Sequence, residues 1–345
     1  MKTKPITKFA ILALSLVLVA CAGGGSEEAG CPAIDGREIN VVATTPMIGE
    51  FVSQVGGENI NLTVLMPPEA NPHTYEPAPQ DAGTIAEADL VFYTGLLYEP
   101  AALVKLLENS ACSTDILSEV GESVFPIEFK EGGHDDYDDH DDEEGHDDHD
   151  DEEGHDDEEG HDDHEGHNHG AYDPHFWFDP SRVAYAAEYI ESRLIQFDPE
   201  NESSYTSSAD SFVSELNDLT KQVSELISTV PSQNRKLITT HESLGYLEAK
   251  FGLEVLSTII PSLNSANEIS PSDLAGVIDV IEDNNVKVIF IESEAPSVYS
   301  ETIVAETGIK PVTGLYVETL KPGQSYSEFL ISNVTLITEN LQDTD

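Results

Sequence analysis

"PENESSYTSSADSFVSELNDLTKQVSELISTV" spans Pro199–Val230, and its period decides how the rest of the chain is organised. Phe212, Leu216, Leu219, Val223 and Leu226 recur every three or four residues among polar and charged neighbours, which is the spacing of one helix face. At 3.6 residues per turn the stretch makes a helix of about eight turns. Just before it, "DPSRVAYAAEYIESRLIQF" (179–197) opens on an Asp-Pro-Ser start signal and keeps helical spacing.

Short apolar runs alternate with helical patterns on both sides of these helices. "EINVVAT" (38–44), "NLTVLM" (61–66), "DLVFYTG" (89–95) and "SVFPIEF" (123–129) read as strands on the N-terminal side. On the C-terminal side the strands are "KLITT" (236–240), "LEVLSTI" (253–259), "VKVIFIE" (286–292) and "KPVTGLY" (310–316). Strand, helix, strand in succession predicts an α/β protein with parallel sheets covered by helices on both faces. The expected layout is an N-terminal lobe over 37–198, a connecting helix over 199–230 and a C-terminal lobe over 231–345.

Of the 67 acidic residues, 22 fall in 131–170, a span without Lys or Arg, which leaves 45 acids against 15 bases elsewhere. So negative a body repels phosphate backbones and anionic surfaces, excluding nucleic acid as a natural partner and favouring cations. The insert 131–171 is so dense in Gly, Asp, Glu and His that it cannot build a core, and disorder is expected there.

The N-terminus "MKTKPITKFAILALSLVLVACAGGGSEEAG" carries three lysines, an apolar run from Phe9 to Ala20, then Cys21 and small polar residues, the pattern of an export signal over 1–20. The run is too short to span a bilayer as a mature helix. "LVAC" (18–21) resembles a bacterial lipobox, which makes Cys21 the lipidation site, 21–36 a tether, and the cell envelope the destination, either lipid-anchored to the outer face of the cytoplasmic membrane or periplasmic. Cys31 and Cys112 remain, and in an oxidising compartment they can form a disulfide or stay as two inert thiols.

Nine of the twelve histidines lie in the acidic tract: His134, His140, His146, His149, His155, His161, His164, His167 and His169. Neutral imidazoles among carboxylates would form auxiliary, low-affinity metal sites, and a spacer whose metal binding is incidental is the plainer alternative. The other three are His73, His175 and His241. His73 follows the second strand, His175 the fourth once the insert is skipped, and His241 the strand 236–240, while Glu318 follows 310–316. Ligands of open parallel sheets bind beyond the carboxyl ends of the strands, so all four belong to the face where two lobes would enclose a cleft. Prolines 72, 77 and 79 stiffen the loop of His73, and Pro174 and Pro180 bracket His175. Each histidine alone reads equally well as structural, but three at strand ends, the only three in the body, suit one shared metal. Glu242, Glu292 and Glu294 compete with Glu318 for the fourth place.

"NPHTYEPAPQDAGTIAEADLVFYTGLLYE" (71–99), "DPHFWFDPSRV" (173–183) and "THESLGYLEAKFGL" (240–253) resemble, in order, the metal-binding signatures of the zinc/manganese ABC-transporter substrate-binding proteins, the cluster A-I family. The resemblance runs from about residue 38 to the C-terminus. It implies two similar α/β lobes, a long connecting helix that is a poor free hinge, and a metal between the lobes. His73 and His175 would be the N-lobe ligands and His241 the first C-lobe ligand, with Glu318 in "LYVETL" (315–320) where relatives place a carboxylate, often aspartate. A histidine- and acid-rich loop before "DPH" is common in the zinc-importing relatives.

Manganese-binding relatives commonly carry a carboxylate at the position of His241, and three imidazoles with one carboxylate are softer and suit Zn²⁺ better. The expected function is therefore a zinc receptor that serves a membrane permease, tethered by lipid and acting as a monomer, with Mn²⁺ as the alternative cargo. Two other classes compete: a zinc hydrolase with Glu242 as base, and a surface adhesin. "HESLG" (241–245) lacks the second histidine of H-E-x-x-H, and four protein ligands leave no open position for water.

Overall fold

The computed structural model describes residues 31, 34, 36–68, 70–129, 172–294 and 298–342. The export signal, Cys21, nearly all of the tether and the nine histidines of the acidic tract lie outside them.

In the N-terminal lobe four parallel strands, β1 (Ile39–Ala43), β2 (Ile60–Val64), β3 (Leu90–Tyr93) and β4 (Leu117–Glu119), form one sheet in the order β2-β1-β3-β4. Alternate residues of the central strands face opposite layers. Ile39, Val41, Ala43, Leu90 and Phe92 enter the main core, while Val42 and Val91 pack on the other side with Ile85, Leu103 and Leu107. This is why the runs read as nearly continuous apolar sequence: both faces are covered. Helix α1 (Pro46–Gly56) starts at Thr45, whose hydroxyl accepts the Ile48 N–H, and supplies the first layer. Helices α2 (Pro79–Ala86) and α3 (Ala101–Ser110) supply the second. A disulfide between Cys31 and Cys112 ties the segment before β1 to the turn after α3.

The fourth strand is not the one the sequence suggests. "SVFPIEF" fails to extend because Gly121–Val124 wind into a 3₁₀ turn, Phe125 takes a left-handed backbone (φ 53°), and Pro126 has no N–H to give a ladder. The three-residue β4 pairs with β3 instead. Ile127 and Glu128 still find partners in the chain that returns, through Asp173 N–H to the Ile127 carbonyl (3.0 Å) and an isolated bridge between Glu128 and Tyr172.

Helix α4 (Pro180–Phe197) follows, capped by Asp179, and then the long helix α5 (Glu202–Ser228). Residues 199–201, at the start of the sequence-predicted helix, form a 3₁₀ turn around Pro199. Along α5 the buried stripe is Tyr205, Ala209, Phe212, Leu216, Leu219, Val223 and Ile227, and Leu226 lies only half-buried on its flank. The C-terminal lobe pairs β5 (Lys236–His241) with β6 (Glu254–Ile260) and β7 (Val288–Glu292) with β8 (Lys310–Leu315), all parallel. Strands β5 and β7 run side by side, linked by the Glu292 N–H to Thr240 Oγ1 (3.0 Å). Helices α6 (Gly245–Phe251), α7 (Pro271–Asn284), α8 (Val298–Thr307) and α9 (Tyr326–Gln342) cover them.

One apolar core runs through both lobes. Phe51 of α1 meets Tyr326 of α9 edge-on at 5.2 Å, and Phe178 meets Phe329 at 5.7 Å. Helix α5 packs on α1, α4, α6 and α9 at once. Its stripe should therefore carry much of the stability. Leu216→Ala, at a residue 1 % exposed, is expected to cost about 2–5 kcal/mol in urea unfolding, and Leu226→Ala clearly less. Equal losses would contradict the stripe.

Candidate metal centre

His73, His175, His241 and Glu318 each offer one donor atom, and these atoms lie within 4.8 Å of one another. His241 is the last residue of β5 and Glu318 comes shortly after β8, whereas His73 sits in the longer loop after β2 and His175 in the turn that leads into α4, with no strand directly before it because the expected fourth strand does not form. His73 sits in a 3₁₀ turn, Pro72–Thr74, whose preceding Asn71 accepts the His73 N–H (2.9 Å) through its side-chain oxygen. The amide nitrogen of Asn71 reaches across the cleft to Ser265 Oγ (3.0 Å) and the Glu294 carbonyl (3.2 Å). His175 follows Asp173-Pro174, and one Asp173 oxygen takes both the backbone N–H and Nδ1 of His175 at 2.8 Å. His241 ends β5, and its Nδ1 meets Glu292 at the end of β7 in a very short contact. Glu318 follows β8, with its own N–H (3.3 Å) and that of Val317 (3.4 Å) donated to the Glu294 carboxylate.

Glu318 stands at the centre. Its Oε1 is 3.0 Å from His73 Nε2 and 2.9 Å from His241 Nε2, and its Oε2 is 3.5 Å from His175 Nε2. A carboxylate only accepts, so Asp173 and Glu292 fix the Nδ1 atoms of His175 and His241 as donors and turn both Nε2 atoms toward the shared space. Those two Nε2 atoms are buried and lack a well-aligned hydrogen bond. Buried imidazole nitrogens left unsatisfied, each with a carboxylate behind the ring, have the arrangement of histidines that hold a metal.

The charges around the cluster oppose their own burial. Burial alone would lower the His175 imidazole, but Glu318 and Asp173 raise it to about 9. For His241, burial is likewise overcome by Glu292 and Glu318, which raise it well above the usual histidine value. Burial would raise Glu318, yet His73, His241 and His175 hold it well below the usual carboxylate range. Glu294 has no such partners, and burial followed by repulsion from Glu318 and Glu292 pushes it up to about 8. The neighbouring carboxylates thus favour the protonated forms of His175 and His241, and a divalent ion would compete with those protons.

The other sequence candidates separate by geometry. Glu242 turns away to accept the Thr258 hydroxyl (2.9 Å), Glu292 stands behind His241, and Glu294 braces the backbone under Glu318. Two participants escaped sequence reading. Asp173 carried a signal, an Asp two residues before the histidine and able to accept its N–H. Tyr98, whose hydroxyl lies 2.9 Å from Glu318 Oε2, carried none. A cavity of about 580 Å³ lined by His73, Leu97, Tyr98, Lys105 and Asn264 adjoins the cluster.

Known proteins share the family signature and the fold of this chain. The family model described as "ZnuA: Zinc-uptake complex component A periplasmic" matches residues 41–340. The manganese ABC transporter substrate-binding lipoprotein PsaA of Streptococcus anginosus is 26 % identical over 348 residues, covering 98 % of this chain and 99 % of that protein. The manganese-binding lipoprotein MntA of Halalkalibacterium halodurans is 22 % identical over 339 residues, covering 96 % and 97 %. The periplasmic zinc-binding protein TroA from Treponema pallidum shares the fold with a TM-score of 0.71 at 21 % identity, over 88 % of this chain and 99 % of that one. The chain belongs to the zinc-uptake complex component A family: it is the metal-binding receptor of an ABC transporter, not an enzyme, and it works with a membrane permease in the cell envelope.

Proposed function

We propose that this receptor captures Zn²⁺ with His73, His175, His241 and Glu318 and releases it to the permease. The observation that carries the reading is the donor set, three imidazole nitrogens and one carboxylate oxygen within 4.8 Å. Four such donors match the closed tetrahedral sphere of zinc, whereas manganese favours more oxygens. Manganese is the second reading, favoured by the cargo in the names of PsaA and MntA. The chain would act as a monomer held to the membrane by lipid on Cys21, with the tract histidines gathering further ions loosely.

Competitive titration of Zn²⁺ against Mn²⁺ tests the assignment. Glu292→Gln, which removes only the carboxylate behind His241, is expected to weaken zinc binding about 10–100-fold, and His73→Ala and His241→Ala should weaken it further. Parent-like zinc affinity in the two alanine variants would refute the ligand set, and tighter binding of Mn²⁺ than Zn²⁺ by the parent would reverse the cargo. Deleting residues 133–169 should leave the tightest site in place, and its loss would move that site into the tract.

Binding should also release protons. Because His175 is raised to about 9, protons compete with the ion at neutral pH, and apparent affinity should climb as pH rises toward that value. Calorimetry in buffers of different ionisation enthalpy measures the release directly. A pH-independent affinity with no proton release would contradict this account of the site.

A further inference from the structure

The loop that follows β3 is built to deliver one side chain. Gly95, Leu96 and Leu97 are consecutive residues with positive φ (77°, 52° and 62°), a conformation that side chains resist. Two carboxylates hold it there. Glu99 is buried and accepts Thr44 Oγ1 (2.7 Å), Thr94 N–H (2.7 Å) and Gly95 N–H (2.9 Å), while Glu119 accepts Leu96 N–H (2.9 Å). Position 95 has no room for a Cβ, which would strike the Glu119 side chain.

The result is that the Tyr98 ring, 1 % exposed, lies edge-on to His73 (4.9 Å), His175 (5.8 Å) and Trp177 (5.3 Å). Its hydroxyl is 2.9 Å from Glu318 Oε2 and 3.1 Å from the Glu318 carbonyl oxygen. A phenol has one proton to give, and the nearer, charged carboxylate is the stronger acceptor. Both oxygens of Glu318 face the imidazoles, Oε1 at 2.9 and 3.0 Å from two of them and Oε2 at 3.5 Å from the third.

We propose that Tyr98 determines metal preference by occupying Oε2 of Glu318, so that the carboxylate offers an ion one oxygen rather than two and coordination stops at four. This rests on the ligand set proposed above. An ion satisfied by four donors is served by that restraint, and an ion that seeks additional oxygens is penalised. Tyr98 is thus a positioning residue: it acts through Glu318 and never touches the cargo.

The test loads one equivalent of Co²⁺, whose visible absorption reports coordination number, into the full chain and into Tyr98→Phe, with His241→Ala as control. The parent should show the intense absorption of a four-coordinate ion, and Tyr98→Phe the weaker, blue-shifted bands of a higher coordination number. In competitive titration the Zn²⁺ over Mn²⁺ preference of Tyr98→Phe should fall by about tenfold, the lower end of what lost outer partners cost. Identical spectra and preference in the two proteins would overturn the proposal. So would weaker zinc binding with an unchanged spectrum, which marks a merely structural role. If His241→Ala leaves the parent spectrum unaltered, the ligand set itself falls and this inference with it.

Discussion

Imidazoles from opposite lobes can share one ion only if the lobes hold a fixed separation, and here a continuous apolar core sets it. Helix α5 contributes to both sides of that core through a single stripe, and α1 and α9 close over it with Phe51 against Tyr326. Polar ties then cross the cleft where the core ends. Trp177 donates to the Val317 carbonyl (2.8 Å), Tyr326 donates to the Trp177 carbonyl (2.7 Å), and Asn71 reaches Ser265. These bonds hold the segments that carry His175 and Glu318 against each other. Closely packed interiors do not deform continuously, so opening such a site calls for loop movement near the ligands more readily than for bending of α5.

Electrostatics supplies the driving force that packing alone cannot. Asp173, Glu292, Glu294 and Glu318 surround three imidazoles in a region of low exposure. Buried carboxylates are costly unless something positive answers them. Glu318, Asp173 and Glu292 raise His175 and His241 and so favour their charged forms, and a divalent cation would bring twice a proton's charge to one point. Capture at the proposed ligand set would then exchange protons for an ion. The acidic body outside the cleft adds a field of the same sign, which favours the approach of cations.

Much of the scaffold was legible because it follows one-dimensional rules. Seven of the eight strand runs could be read from β-branched and aromatic clusters, and α5 from its period, since those signals come from burial on one or both faces. The fourth strand was not legible: β4 is three residues long, and its apolar neighbour "SVFPIEF" is bent aside by a left-handed Phe125 before Pro126. The convergence of His241 and Glu318 follows from their positions at the ends of β5 and β8, whereas His175 reaches the same face although the strand expected before it does not form. Which of several glutamates faces inward was not legible, since Glu242, Glu292, Glu294 and Glu318 differ only in backbone direction and in the partner each finds. Tyr98 was invisible for a similar reason. Its position depends on three consecutive left-handed residues held by Glu99 and Glu119, a local conformation that no periodicity encodes.

Donor identity and metal preference are separate properties of such a site. Relatives with manganese in their names and relatives with zinc in theirs share this fold, so the scaffold itself is neutral between them. A donor set of three imidazoles and one carboxylate, as proposed for this chain, is softer than one richer in oxygens. Yet softness alone ranks affinities without setting coordination number. That number depends on how many oxygens the remaining carboxylate can present, and so on the group that holds its second oxygen. In this chain the group is a phenol fixed by a buried carboxylate network outside the ligand sphere. On the proposed role of Tyr98, selectivity would be stored one layer away from the ion, in residues that a comparison of ligands alone would pass over.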